Sequence, residues 1–154
     1  WNGQTMGPHA FSVAQHALLV EDIARRLEPG LTKPEALGVL LHDASEYVIG
    51  DMISPFKAVI GGAYKDVEAR LMSAIHLRFG LPAVLQPALK KLTKTADGIA
   101  AYFEATELAG FSAQEGAKLF GAPKGFPARL GLVGWPTDEA QRRFLERFKV
   151  LDGT

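Results

Sequence analysis

The segment LLHDASEYVIGD, residues 40–51, begins as an apolar helix and then sets His42, Asp43, Glu46 and Asp51 within ten positions. Imidazole and carboxylate are the nitrogen and oxygen ligands a divalent cation takes where thiolates are absent. On a continuous helix consecutive residues stand about 100° apart, so His42 and Asp43 flank one point just off the surface. Glu46, four after His42 and three after Asp43, falls on the same face. Two protein ligands are too few to hold a cation, and the others must come from other helices. His16 and Asp97 are the candidates, because each is a polar residue within or beside an apolar helical stripe. A His/His/Asp/Asp set suits Mn, Co, Fe, Ni or Zn without selecting one.

Each of these residues also has a plainer use. A solitary helical histidine such as His16 is commonly a satisfied structural residue. His42 and Asp43 could cap their own helix, Glu46 could be solvated near its end, Asp51 could serve the turn after Gly50, and Lys94 could be a surface lysine beside Lys90 and Lys91. His76, in AIHLRF, belongs to no motif and is expected at the edge of the core.

The elements that must position these groups read as helices throughout. Ser12 with Gln15, Thr32 with Glu35 and Ser112 with Glu115 each form a capping-box signature at a helix start. The first helix is predicted from Val13 to Glu28, with Val13, Ala17, Val20, Ala24 and Leu27 on its core face until Pro29-Gly30 ends it. The second follows Thr32 and is predicted to run through EALGVLLHDASEY to Gly50. Val67, Leu71, Ala74 and Ile75 define a third that Gly80 stops. A long one from Pro87 to Leu108 carries Leu89, Leu92, Ala96, Ile99, Ala100 and Phe103 on its apolar side. A short helix from Ala113 to Phe120 and a last one capped by Thr137 complete the set. No segment alternates with period two. The expected fold is all-α, a single-domain bundle of six or seven helices over residues 1–154, with the motif-bearing part in about 1–110 and residues 111–154 completing the bundle.

Composition narrows the function. Seventeen basic and seventeen acidic residues cancel in a chain of 154, with no Lys/Arg run, which argues against a nucleic-acid polymer as partner. A small, locally complemented ligand fits better. The absence of cysteine excludes disulfides, thiolate metal sites and cysteine nucleophiles. No apolar stretch reaches the ~20 residues of a transmembrane helix, and WNGQTMGPHAF lacks the features of a signal peptide, so no membrane partner and a cytoplasmic location are expected. A start at Trp rather than Met suggests a chain trimmed from a longer one.

His16, then His42-Asp43, then Asp97 resemble the H…HD…D signature of the HD-domain metal-dependent phosphohydrolases. Within that superfamily the chain is most similar to the bacterial 5′-deoxyribonucleotidases, through SVAQH (Ser12–His16), HDASEYVIGDMISPFK (His42–Lys57) and KTAD (Lys94–Asp97). The resemblance covers about the first hundred residues. It implies an HD-type helical fold and one divalent metal ion held by His16, His42, Asp43 and Asp97. It implies that Glu46 and Asp51 position the attacking water and handle protons, that Lys94 contacts the phosphate and that Trp1 shapes the sugar pocket. The family's Arg before that Trp would lie ahead of residue 1, and the C-terminal third, where KGFPARLGLVGWP offers Trp135 as a pocket wall, has no close counterpart. The implied activity is hydrolysis of a phosphomonoester of a small phosphorylated metabolite, foremost a (deoxy)nucleoside 5′-monophosphate, by a metal-activated water; a homodimer is implied as well. Hydrolysis of another phosphate ester, such as a cyclic nucleotide, a nucleotide polyphosphate or a sugar phosphate, is the alternative, and a non-catalytic metal- or nucleotide-binding module is a third reading.

Overall fold

The structure, a computed structural model, describes residues 5–50, 59 and 61–153. Among them are seven helices and no strand: α1 (Val13–Leu27), α2 (Lys33–Leu40), α3 (Glu46–Ile49), α4 (Gly62–Arg78), α5 (Pro87–Glu107), α6 (Ala113–Phe120) and α7 (Thr137–Asp152). None of the helices described is long and apolar enough to cross a membrane.

Two of the three expected capping boxes close, at Thr32/Glu35 before α2 and at Ser112/Glu115 before α6. The third closes by half. The Ser12 hydroxyl accepts the Gln15 N–H at 3.2 Å, but the Gln15 side chain turns away, donating from Nε2 to the Val133 carbonyl at 2.5 Å and accepting the Trp135 N–H at 3.1 Å. A long-range partner thus displaces the local one and ties α1 to the segment before α7. Thr137, expected as a cap, is instead the first residue of α7, with Pro136 at the cap position.

The largest departure is in the second helix, which ends at Leu40 rather than Gly50. The Val39 carbonyl accepts both the backbone N–H of His42, at 3.1 Å, and the ring Nδ1–H of His42, at 2.9 Å. Continuation would require that carbonyl for the N–H of Asp43, and the side chain competes for it. Residues 41–45 therefore run as tight turns, with Ala44 N–H on Leu41 and Glu46 N–H on Asp43 at 3.0 and 2.9 Å, before α3 begins.

α1 is the central element, packed against α5, α2 and α7. One side of it joins Val20, Ile23 and Ala24 to Val39, Leu85, Leu89, Ala96 and Ala100; the other joins Ala17 to Ala36, Leu37, Leu40 and Leu151. Buried Glu21 of α1 accepts two hydrogen bonds from Arg147 of α7, at 3.0 and 2.6 Å, and one from Arg25. α6 lies so close to α5 that a Cβ on Gly116 would stand 2.7 Å from the Thr106 methyl, which is why glycine sits there. α4 is the exception to this packing. Among the described residues it shares no broad face with the other helices, and Val67 and Ala74 of its predicted core stripe are exposed. Its C-terminal end is anchored, with Ile75 half-buried against the core and Phe79 edge-on to Phe148 at 5.0 Å.

Candidate metal centre and adjoining cleft

α1, the turn after α2, and α5 bring His16, His42, Asp43 and Asp97 to one point. Ligating atoms of His16, His42 and Asp97 lie within 4.8 Å of one another. Asp43 Oδ2 is 3.5 Å from His16 Nε2 and 3.3 Å from His42 Nε2, and Asp97 Oδ1 is 3.3 Å from His16 Nε2. Atoms that each stand about 2 Å from a shared cation must be separated by distances of this order. The turn at residues 41–45, not a helical face, is what aims two adjacent side chains at the same point.

The protonation pattern of the two rings suits a cation. His42 donates Nδ1–H to the Val39 carbonyl, which leaves Nε2 as a buried lone pair that accepts no hydrogen bond and stands beside the Asp43 carboxylate, another acceptor. His16 has Nδ1 2.6 Å from Oε1 of Glu104, a carboxylate that is 1% exposed, and its Nε2 faces both aspartates. Acceptors converging this way need positive charge between them. For His16 burial alone would lower the pKa, but hydrogen bonds to Asp97 and Glu104, with the charges of Glu104 and Asp43, outweigh it and push the pKa from the usual 6.5 to about 10. A proton answers the demand at one nitrogen; a divalent cation answers it at all four side chains. The donor set and the unpaired His42 Nε2 fit such an ion, with each ring oriented by a second hydrogen bond at Nδ1.

Beside this cluster opens a cleft of about 380 Å³. His42 and Asp97 reach it from the cluster, Lys90 and Lys94 line it from α5, and Ser73 and His76 line it from α4. Lys94 thus stands in the cleft beside the cluster. Glu46 opens α3, half-buried, and is not among the residues lining the cleft. Asp51 and Trp1 lie outside the described residues. Trp135 does not line the cleft either; its ring stacks under Arg143 at 4.1 Å, and its segment closes on the stretch before α1, where a Cβ on Gly134 would run into the His9 backbone.

Glu104, Lys90 and His76 were not foreseen as site residues. For Glu104 a signal existed: it follows Asp97 by seven residues, two helical turns on the same face, and interrupts the stripe that holds Ala100 and Phe103. A carboxylate in that stripe requires a buried partner.

A helical bundle whose α1, α2–α3 turn and α5 converge His, His-Asp and Asp on one point belongs to the class of HD-domain phosphohydrolases. The model for the YfbR-like 5′-deoxynucleotidase family matches residues 2–116, and the chain belongs to that family. An uncharacterised protein of Rhodobacter capsulatus is 48% identical over 152 residues, covering 98% of this chain and 78% of its own. A 5′-deoxynucleotidase of Pasteurella multocida is 33% identical over 167 residues, covering 94% and 80%. The uncharacterised Escherichia coli protein YfdR is 29% identical over 145 residues, covering 93% and 72%. The chain is accordingly a phosphohydrolase of the nucleotidase type.

Proposed function

We propose that the chain hydrolyses a (deoxy)nucleoside 5′-monophosphate to the nucleoside and phosphate, with one divalent ion held by His16, His42, Asp43 and Asp97. The observation that carries this reading is the convergence of those four side chains beside a cleft that also contains Lys94. The family name and the Pasteurella multocida relative point to the same substrate class. Such an ion would acidify water and offset charge developing on phosphorus.

The chain's own residues supply the rest. Val39 and Glu104 hold the two imidazoles with Nε2 inward, so neither ring must reorient during turnover. Lys94, exposed on α5 one turn before Asp97, attracts the phosphate dianion and draws it toward the cluster. In the reaction the oxygen of water bonds to phosphorus and the bond from phosphorus to the 5′ oxygen breaks. One proton leaves the water and one arrives on the departing 5′ oxygen. Glu46, the first residue of α3 after the turn that holds Asp43, is assigned to that proton traffic together with Asp51. Trp1 is assigned to the sugar pocket, and residues 111–154 to the same domain as the site.

Phosphate release from a panel of deoxy- and ribonucleoside monophosphates, cyclic nucleotides, nucleoside triphosphates and sugar phosphates tests this. The monophosphates should be the best substrates, and Lys94→Ala should raise KM by about tenfold. Preference for any other class of ester, or a Lys94→Ala enzyme with unchanged KM, contradicts the reading.

A further inference from the structure

We propose that the α4 wall of the cleft reads the leaving group of the substrate, and that His76 decides which leaving groups are accepted by taking a hydrogen bond from them. The proposal rests on the phosphomonoesterase reading above and adds a residue to it. His76 is only 5% exposed. Its Nδ1 lies 3.3 Å from the Ala83 carbonyl. A carbonyl only accepts, so Nδ1 carries the proton and, in the neutral ring, Nε2 is an acceptor. That acceptor is buried and has no hydrogen-bond partner. Leaving it so is destabilising, and a donor brought by a ligand removes the penalty.

A cation is not the missing partner. Among the described residues His76 belongs to no group of three ligating side chains, whereas His42, with the same Nδ1-to-carbonyl arrangement, does. The surroundings define what fits instead. On the α5 side the cleft presents Lys90 and Lys94, suited to an anion; the rest of its lining includes Ala69, Met72, Val84 and Leu85, with Ser73 one turn before His76 on the same helical face. An apolar wall with an imidazole acceptor and a hydroxyl suits an uncharged organic group that carries a donor, a sugar hydroxyl or a ring amine. α4 is held to the core at its Ile75–Phe79 end, next to His76, and among the described residues no broad helix face covers the rest of it, so a small shift of that wall brings a donor to Nε2.

His76→Asn separates this role from a structural one. The asparagine amide can keep the bond to Ala83 through its NH₂ while removing the acceptor at Nε2; His76→Gln can place a carbonyl oxygen near the lost position. Steady-state phosphate release, with the divalent ion that supports activity, is measured on deoxynucleoside monophosphates, on analogues lacking the 3′-hydroxyl or the exocyclic amine, and on a phenyl phosphate. Wild type should prefer the donor-bearing ester over one of the two analogues by about tenfold in kcat/KM, chiefly through KM, and which analogue is penalised identifies the donor. His76→Asn should lose that preference while its rate on phenyl phosphate is unchanged, and His76→Gln should regain part of it. His76→Leu gives the same readout should the asparagine variant not fold. A wild type without preference, or a folded His76→Asn that keeps it, overturns the proposal. If wild type releases phosphate from none of the esters, the phosphomonoesterase reading is what fails; equilibrium binding of the same analogues to wild type and His76→Asn then decides His76 separately, equal affinities rejecting it.

Discussion

At the scale of single residues, the centre is defined by acceptors that face one another. The Nε2 atoms of both histidines and the carboxylates of Asp43 and Asp97 converge, with a proton on His16 among them. In the metal-stripped protein that proton is held with a pKa near 10 against an ordinary 6.5. Because the folded-state value is the higher one, the stability it contributes is complete below about pH 6.5 and is lost as pH rises toward 10. Urea midpoints of chelator-treated wild type, taken relative to His16→Gln, should therefore fall across that window. A flat difference would contradict the pairing of His16 with Asp97 and Glu104. Metal affinity should change in the opposite direction, rising with pH, since the proton on His16 competes with the ion for Nε2. Isothermal titration with Mn²⁺ at pH 6.5 and 8.5 measures it, and Glu104→Gln should reduce the pH dependence.

At the scale of elements, the history of α2 explains why part of the site was legible in the sequence and part was not. Capping residues and apolar spacing located α1, α2, α5 and α6 to within a residue or two at their starts, because those signals act over one turn. The break after Leu40 depends on the His42 ring taking the Val39 carbonyl, a choice made by the ligand geometry and not by helix propensity. Order and type of residue singled out His16, His42, Asp43 and Asp97 as candidates, and the family resemblance added Lys94. Glu104 and His76 were missed because their meaning lies in partners 88 residues away and in the absence of a partner, respectively. The irregular stretch before α7 is another long-range matter. Glu107, its side chain 2% exposed, accepts the backbone N–H groups of Leu130, Gly131 and Leu132 at 2.6, 2.8 and 2.9 Å. Glu107→Gln removes the charge and half of the acceptor capacity, and should cost about 1–3 kcal/mol of unfolding free energy by urea titration. An unchanged midpoint would mean that this segment does not depend on α5 for its course.

At the scale of the whole molecule, α1 is the beam on which the site and its support meet. His16 faces α5 from one side of it, and Glu21 is bound by Arg147 of α7 on another. Arg147→Met should destabilise the fold by about 1–3 kcal/mol, below the range for a fully buried pair because Arg25 still faces Glu21. Glu21→Leu combined with Arg147→Met should recover much of the loss, since an apolar pair leaves no buried charge unpaired; failure to recover would assign the effect to lost packing instead. None of these changes touches the cleft, so kcat of the folded fraction should stay as it is. The claim on which the account depends is that His16, His42, Asp43 and Asp97 hold one divalent ion that makes this fold a phosphomonoesterase. Its most direct test is phosphate release from a deoxynucleoside 5′-monophosphate by chelator-stripped protein to which Mn²⁺, Co²⁺, Fe²⁺, Ni²⁺ or Zn²⁺ is restored, beside Asp43→Ala treated identically. No turnover is expected without metal, and with metal restored turnover should saturate at one ion per chain, while Asp43→Ala should lose both binding and turnover. Turnover by the stripped protein, or an Asp43→Ala enzyme as active as wild type, would contradict that claim.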